Sequence, residues 1–318
     1  MNSPPEAHLG MRISGWGIAL PERIVTNDEL SQTLDTSNEW ILERSGIAER
    51  RIGGSTGSLA VEAGKSALES AGASPESIDL LIIATTTPDD QIPATSSKVQ
   101  HELGLSCGAM DINAACSGFV YSLVTGSSFL QAGCNRVLVI GAETLSRFTD
   151  WEDRSTAILF GDGAGAVVLE SSDNGGKLLG WDLSSSGELR DILHAVIGGT
   201  IYMAGSEVFR KAVIAMAESG KNAIAKAGVS PNEISLVVPH QANIRIIETS
   251  MKKLGIPLER AVWVGDKTAN TSSASIPIAL AHALDNNKVA ANDLILLVGF
   301  GAGMTAASAV IQWGEING

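Results

Sequence analysis

The chain is short of charge, of basic residues and of cysteine, and each shortage excludes something. Only 18% of its 318 residues are charged against 44% hydrophobic, a balance that excludes a disordered chain. The charge present leans acidic: 22 Lys and Arg against 35 Asp and Glu give a formal net charge of −13. That sign argues against general binding of nucleic acid or an acidic membrane, since phosphate affinity needs a basic face. Three cysteines, Cys107, Cys116 and Cys134, cannot all pair with one another and suit a reducing compartment rather than a disulfide scaffold. No Cys-x-x-Cys or His-x-x-x-His set offers zinc ligands, so no metal is expected. No apolar run reaches the roughly 18 residues of a membrane helix. The opening MNSPPEAHLG has no basic stretch followed by an apolar one, so no secretory signal is expected. These absences together predict a soluble, cytoplasmic α/β protein with length enough for a real core.

Short apolar runs alternate with helix-like segments. The runs at 80–84, 136–140, 164–169, 236–238, 294–298 and 307–311 are rich in Val, Ile and Leu and bounded by Gly, Asp or Pro, as buried strands are. Ala-rich stretches at 59–71 and 208–227 read as helices between them. Such alternation predicts βαβ units and a largely parallel sheet. An internal repeat organises the chain. Residues 63–81, AGKSALESAGASPESIDLL, and 219–237, SGKNAIAKAGVSPNEISLV, share nine of nineteen positions at an offset of 156. Both read as helix, glycine stop (Gly72, Gly228), Ser-Pro restart and strand. VLVIGAET at 137–144 is echoed by ILLVGFGA at 295–302. The period, about half the chain, is too long for a solenoid, so two fused copies of one α/β unit are expected, with a cleft between them.

Three polar loops carry candidate chemistry. Cys116, in DINAACSGFVYSL, sits where an extended segment turns into an apolar helix. There the unpaired N–H groups and the positive helix end favour a thiolate. A small buried hydrophobe is the plainer reading of any one cysteine, and Cys107 and Cys134 receive it. His240, in LVVPHQANIRII, emerges at the C-terminal edge of a strand, where open α/β sheets place ligands. His8, His101, His194 and His282 lack that setting and receive no role. Asn270, in KTANTSSASIPIALAHAL, also precedes an apolar helix and lies 154 residues after Cys116, close to the repeat offset. An ordinary helix cap is its alternative. The glycine loop at 299–303 is either a tight turn or a source of a backbone N–H for an oxyanion. Gly161–Gly165 runs into a strand rather than a helix and lacks the third glycine of a dinucleotide loop. Cys, His and Asn with oxyanion donors suit a thiolate that takes an acyl group as a thioester and passes it on. A papain-like hydrolase has the same residue order, but its cysteine signature is absent and the repeat has no place in that fold.

The sequence resembles the β-ketoacyl-acyl-carrier-protein synthase III family of the thiolase-like superfamily, from about Met11 to Trp313. The matching segments are VTNDEL, TSNEWILERSGIAERR, NAACSGF, FGDGAGAVVL, MAGSEVF, VPHQANIRII, NTSSASIP and GFGAG. The resemblance implies two duplicated α/β halves in a layered α-β-α-β-α architecture, residues 1–171 carrying the nucleophile and residues 172–318 carrying the histidine and asparagine. It implies that Cys116 accepts an acyl group from acyl-coenzyme A. His240 and Asn270 then hydrogen-bond the thioester carbonyl of a malonyl-carrier protein as carbon dioxide leaves. The N–H groups of Cys116 and Ala302 form the oxyanion hole, with Phe300 packed beside it. Trp40, Arg44 and Arg154 match the contacts to coenzyme A, and Asn243 a position supporting the active-site hydrogen bonds. Arg245 matches a carrier-docking residue, and Arg210, Lys211, Lys252 and Lys253 are further cations for an acidic partner. Ile92 falls where the family limits acyl chain length. The resemblance also implies a homodimer and no cofactor beyond the coenzyme A thioester substrate. The nearest alternative is a polyketide-pathway relative that makes starter units or transfers acyl groups; a silent partner subunit would lack the nucleophile. Three departures stand out: a short connection from Asp182 to Thr200, Ala269 where a glycine precedes the asparagine, and Ala302 in place of a common glycine.

Overall fold

A glycine-rich strand that the apolar pattern does not reveal, β1 (Leu9–Ala19), starts the main sheet. The computed structural model describes residues 9–172 and 175–314; His8 lies outside them. The sheet continues with β2 (Leu80–Ala84), β3 (Gly108–Ile112), β4 (Arg136–Thr144), β5 (Asp162–Ser171), β6 (Lys177–Ser184), β7 (Ile234–Pro239), β8 (Leu294–Gly301) and β9 (Thr305–Gln312). The helices used below are α1 (Asn38–Ser45), α2 (Thr56–Ala71), α3 (Thr95–Glu102), α4 (Gly118–Gln131), α5 (Gly205–Lys226), α6 (Ile244–Leu254) and α7 (Ser275–Asp285).

The strand order is β7-β8-β9-β6-β1-β5-β4-β2-β3. Only two residue pairs, Leu9–Leu178 and Gly10–Lys177, join β1 to β6, so the sheet divides into two runs at that seam. The first run reads β1-β5-β4-β2-β3 and the second β6-β9-β8-β7. The expected largely parallel sheet is wrong. Only β2–β3, β2–β4 and β7–β8 pair in parallel, while β1–β5, β4–β5, β8–β9 and β6–β9 are antiparallel. The cause is that β4 to β5 and β8 to β9 return through loops rather than through a crossover helix, which an apolar run cannot signal.

Helix α2 covers the outer face of the first run and α5 that of the second, while α4 and α7 lie between the runs and touch both. Three apolar clusters fill these interfaces: one around Ala63, Leu81 and Ile140, one around Phe119, Leu280 and Leu297, and one around Met216, Val237 and Leu296. Their sequence gives five layers, α-β-α-β-α. The outer helices are seated alike. A Cβ at Gly15 of β1 would lie 2.4 Å from the Ala67 carbonyl oxygen of α2, and one at Gly180 of β6 would lie 2.5 Å from the Ala223 carbonyl oxygen of α5. Ala67 and Ala223 are the same position of the internal repeat. Each glycine opens the space a close helix needs, and the loss of a side chain there hides β1 and β6 from a search for apolar runs.

Candidate active site

Cys116 stands on a tight elbow between β3 and α4. The preceding Ala115 takes a left-handed backbone, φ 50°, and its N–H donates to Asn113 Oδ1 at 3.2 Å. Thr305 at the start of β9 holds the elbow from the other run, its hydroxyl donating to the Ala114 carbonyl at 2.9 Å. The glycine loop presses on it as well: a Cβ at Gly301 would fall 2.5 Å from the Cys116 nitrogen. Ala302 follows in a turn whose left-handed positions are Gly303 (φ 72°) and Met304 (φ 46°). Alanine at 302 therefore meets no backbone demand for glycine.

His240 follows β7, and its N–H donates to the Val298 carbonyl at 2.8 Å. The ring is 1% exposed and stands edge-on to Phe300, centroids 5.6 Å apart. Its Nδ1 lies 2.6 Å from the Ser275 hydroxyl, which also accepts the Gln241 N–H at 3.3 Å. Nδ1 is the one acceptor found for the Ser275 hydroxyl proton among the described residues, so that proton goes to Nδ1 and the ring proton to Nε2. Nε2 has no partner among the described residues. Burial pushes the imidazole down to about 3, so the ring is neutral.

Asn270 is fastened by its backbone to the segment between β4 and β5. Its N–H donates to the Leu159 carbonyl at 2.9 Å and its carbonyl accepts from Gly161 at 3.0 Å. Its Oδ1 accepts the Ser272 N–H at 2.8 Å, which leaves the Nδ2 group as the donor available to a ligand. The preceding Ala269 has φ 56° and ψ −160°, a region almost reserved for glycine. The departure from the family pattern thus falls on a strained residue.

Cys116, His240 and Asn270 line one cavity of about 880 Å³, with Phe300 and Ala302. The expected resting thiolate is corrected by burial, which pushes the Cys116 thiol up to about 12 against a small downward pull from the Ser272 hydroxyl. The helix start does not overcome the desolvation, and the cysteine rests as a thiol. Despite its shortness, the connection from Asp182 to Thr200 does form cavity wall. Leu193–His194 pairs with Tyr202–Met203, and residues 193–198 line the chamber. His194, given no role from sequence, is thereby on the wall, its ring 5.3 Å from that of Tyr202.

The other candidates divide. Arg154 and Arg44 stack on Trp40, with guanidinium carbons 4.7 and 5.5 Å from its ring centroid. This trio lies outside the cavity lining and is tied to it by Asn243, whose Nδ2 donates to the Arg44 carbonyl at 2.9 Å. Asn243 makes no hydrogen bond to His240 or Asn270; its Oδ1 accepts the Arg245 N–H at 2.9 Å and caps α6. The support expected of it comes from Ser275 instead. Arg245 lies 5.9 Å from the ring of Phe209, a lining residue, which sets Arg245 beside the chamber, while Lys252 and Lys253 stand in the last turn of α6. Among the described residues none of Arg210, Lys211, Arg245, Lys252 and Lys253 is ion-paired with a carboxylate. Ile92 is 87% exposed and does not line the cavity of its own chain, although Asp89, Asp90 and Gln91 do. Sequence reasoning missed Ser275. It reads as an ordinary member of a small-residue run, and only the fold sets it against His240. No group of three or more His, Cys, Asp and Glu among the described residues is placed to hold a metal ion.

Comparison with known proteins gives the family of the chain. Residues 110–187 match the family described as 3-oxoacyl-[acyl-carrier-protein] synthase III, and residues 224–313 match its C-terminal family. A β-ketoacyl-[acyl-carrier-protein] synthase III from Erythrobacter litoralis is 46% identical over 316 residues, covering 95% of this chain and 98% of the relative. The crystal structure of 3-oxoacyl-[acyl-carrier-protein] synthase III from Aquifex aeolicus superposes with a TM-score of 0.94 at 46% identity, covering 96% of this chain and all of that one. The priming β-ketosynthase of the R1128 polyketide pathway superposes with a TM-score of 0.91 at 33% identity, covering 99% of each chain.

Proposed function

The chain belongs to the β-ketoacyl-[acyl-carrier-protein] synthase III family, and on that premise we propose how its own residues perform the reaction. It is an acyl-transferring condensing enzyme of fatty-acid biosynthesis. Cys116 attacks the thioester of an acyl-coenzyme A; the new bond forms at sulfur, and coenzyme A leaves with the cysteine's proton. The N–H groups of Cys116 and Ala302 hold the transient oxyanion, each donor worth about 2.7–4 kcal/mol. The malonyl-carrier thioester then places its carbonyl oxygen against His240 Nε2–H and Asn270 Nδ2–H. As the bond to the carboxylate breaks, its electron pair enters the enolate that these donors stabilise, and carbon dioxide departs. The carbanion attacks the acyl carbonyl, and collapse of the adduct releases the Cys116 sulfur and the β-ketoacyl-carrier product. A neutral imidazole suits this step: it donates a hydrogen bond without handing over a proton that would quench the carbanion.

The observation that carries the reading is the convergence of Cys116, His240 and Asn270, from three distant segments, on one cavity. We read residues 1–171 and 172–318 as the two copies that bring them there, on the strength of the matched seats of α2 and α5. Trp40, Arg44 and Arg154 hold coenzyme A outside the chamber, by stacking and charge pairing. Asn243 shapes the passage between them. The unpaired cations of α5 and α6 dock an acidic carrier protein, which a chain of charge −13 otherwise repels. The protein is proposed to work in the cytoplasm as a homodimer, with no cofactor beyond its thioester substrate. Ile92 limits acyl length, in this reading, from a second copy of the chain. Greater identity to the fatty-acid synthases (46%) than to the polyketide priming enzyme (33%) favours the former pathway. The test is incubation with a series of acyl-coenzyme A thioesters and malonyl-carrier protein. Carbon dioxide and a β-ketoacyl-carrier product support the reading; acyl transfer to an alcohol or amine without carbon dioxide overturns it.

A further inference from the structure

We propose that Arg50, a buried guanidinium with no carboxylate partner, is a positioning residue for the condensation: it braces the segment that holds the backbone of Asn270. Arg50 sits in the short strand Glu49–Arg51, paired antiparallel with Ile24–Thr26, and has no exposed surface. None of the ion pairs among the described residues includes it. A guanidinium taken out of water without an anion is costly, and its donors then need acceptors held in place. Three segments supply them. Nη1 donates to the Val25 carbonyl at 3.1 Å, and Nη2 donates to Asn27 Oδ1 at 2.9 Å and to the Ile158 carbonyl at 3.0 Å. Burial lowers the group to about 10, against the opposing effect of Glu49 and Glu29, so it keeps its charge at neutral pH.

The brace has a fixed end and a working end. At the fixed end Asn27 is held independently of the arginine: its Nδ2 donates to the Ile47 carbonyl at 2.8 Å and to Asn38 Oδ1 at 3.1 Å, at the start of α1. At the working end Ile158 leads directly into the latch on Asn270, where Leu159 and Gly161 bond its backbone on either side of Phe160. Gly161 lies against the arginine: a Cβ there would fall 3.3 Å from Arg50 Cβ and 2.7 Å from the Thr268 carbonyl oxygen. Beside Arg50's strand, the Ala48 N–H donates to the Asp266 carbonyl at 2.9 Å, in the short helix Gly265–Thr268 that leads to Asn270. The loop of Asn270 is thus held on both of its approaches.

The strain at Ala269 explains why a brace is needed. A left-handed residue other than glycine persists only where its surroundings over-determine it, and Ala269 immediately precedes the carboxamide donor. Once the segment from Ile158 to Gly161 is released, the strained loop relaxes and carries the Asn270 Nδ2 group out of position. Cys116 lies outside this chain of contacts, on an elbow held by Asn113 and Thr305. The brace therefore bears on condensation rather than on acylation, and this part of the inference rests on the role proposed for Asn270.

The test compares Arg50→Met and Arg50→Lys with the wild-type enzyme by hydrogen exchange, read by mass spectrometry, and by single-turnover kinetics. Methionine keeps an apolar stem without donors; lysine keeps the charge but not the planar fork that spans three acceptors. In both variants exchange in peptides covering residues 159–161 and 268–272 is expected to quicken by about tenfold, while the peptide containing Cys116 exchanges as in the wild type. Unchanged protection at 159–161 and 268–272, or an equal rise in the Cys116 peptide, overturns the proposal. Condensation is expected to slow by a similar factor with acylation of Cys116 unchanged. Equal slowing of both half-reactions, the mark of general loosening, also overturns it. Where Arg50→Met does not fold, Arg50→Lys is read by the same criteria. The exchange measurement needs no substrate, so a wild-type enzyme that failed to condense would refute the proposed reaction without altering this result.

Discussion

The Ser275 hydroxyl lies 2.6 Å from His240 Nδ1, so the first residue of α7 decides which ring nitrogen presents its proton to the cavity. Ser275→Ala leaves that nitrogen unpartnered and removes the preference for Nε2–H. A lost buried hydrogen bond of about 1–3 kcal/mol slows condensation roughly fivefold to a hundredfold. Acylation of Cys116 by acyl-coenzyme A stays at the wild-type rate, which single-turnover measurement of the two half-reactions checks.

Gly301→Ala strikes the other half-reaction. Its backbone is extended, so the demand is for space: the added carbon lies 2.5 Å from the Cys116 nitrogen and 2.8 Å from Ala115 Cβ. Displacing the Cys116 N–H from the oxyanion hole is expected to slow acylation by about 10²–10³. Circular dichroism of the variant should match the wild type, and stopped-flow release of coenzyme A gives the rate.

Ala269→Gly works in the opposite sense on stability. At φ 56° and ψ −160° the alanine carries strain of about 1–3 kcal/mol. Glycine relieves it at an unfolded-state cost of about 0.4–1 kcal/mol, for a net gain on the order of 1 kcal/mol. The urea midpoint rises with the slope unchanged; a lower midpoint contradicts the strain.

The pH dependence has two signs. His240 is held down at about 3, below its unfolded value of 6.5, so between these values the unfolded chain binds the extra proton and stability falls as pH drops. Cys116 is pushed up to about 12 from 9.0, so between these values the folded chain keeps a proton that the unfolded one loses, and stability falls as pH rises. Denaturant titrations at a series of pH values check both limbs. Alkylation of Cys116 is expected to climb about tenfold per pH unit through the neutral range without a plateau, since the thiolate remains the minor form.

The reach of the sequence follows from what each element asks of its residues. Strands such as Leu80–Ala84 are buried on both faces and announce themselves as apolar runs. β1 and β6 are set by helices that press on Gly15 and Gly180, and a strand that trades side chains for space has no such signature. Parallel and antiparallel pairing depends on connections, which the runs do not encode. Cys116, His240 and Asn270 were legible because each stands in a loop with its own local setting. Ser275 was not, because its role comes from a partner 35 residues away. Asn243 shows the reverse error: a residue at the right place whose side chain is spent on capping α6 and holding Arg44.

Mass spectrometry of the peptide containing Cys116 tests the division of labour most directly. With acyl-coenzyme A alone, the wild-type enzyme and His240→Ala should both carry the acyl group on Cys116. On addition of malonyl-carrier protein the wild type should lose it with release of carbon dioxide, while His240→Ala keeps it. An acyl group on another residue, or discharge as fast in His240→Ala as in the wild type, would contradict the account.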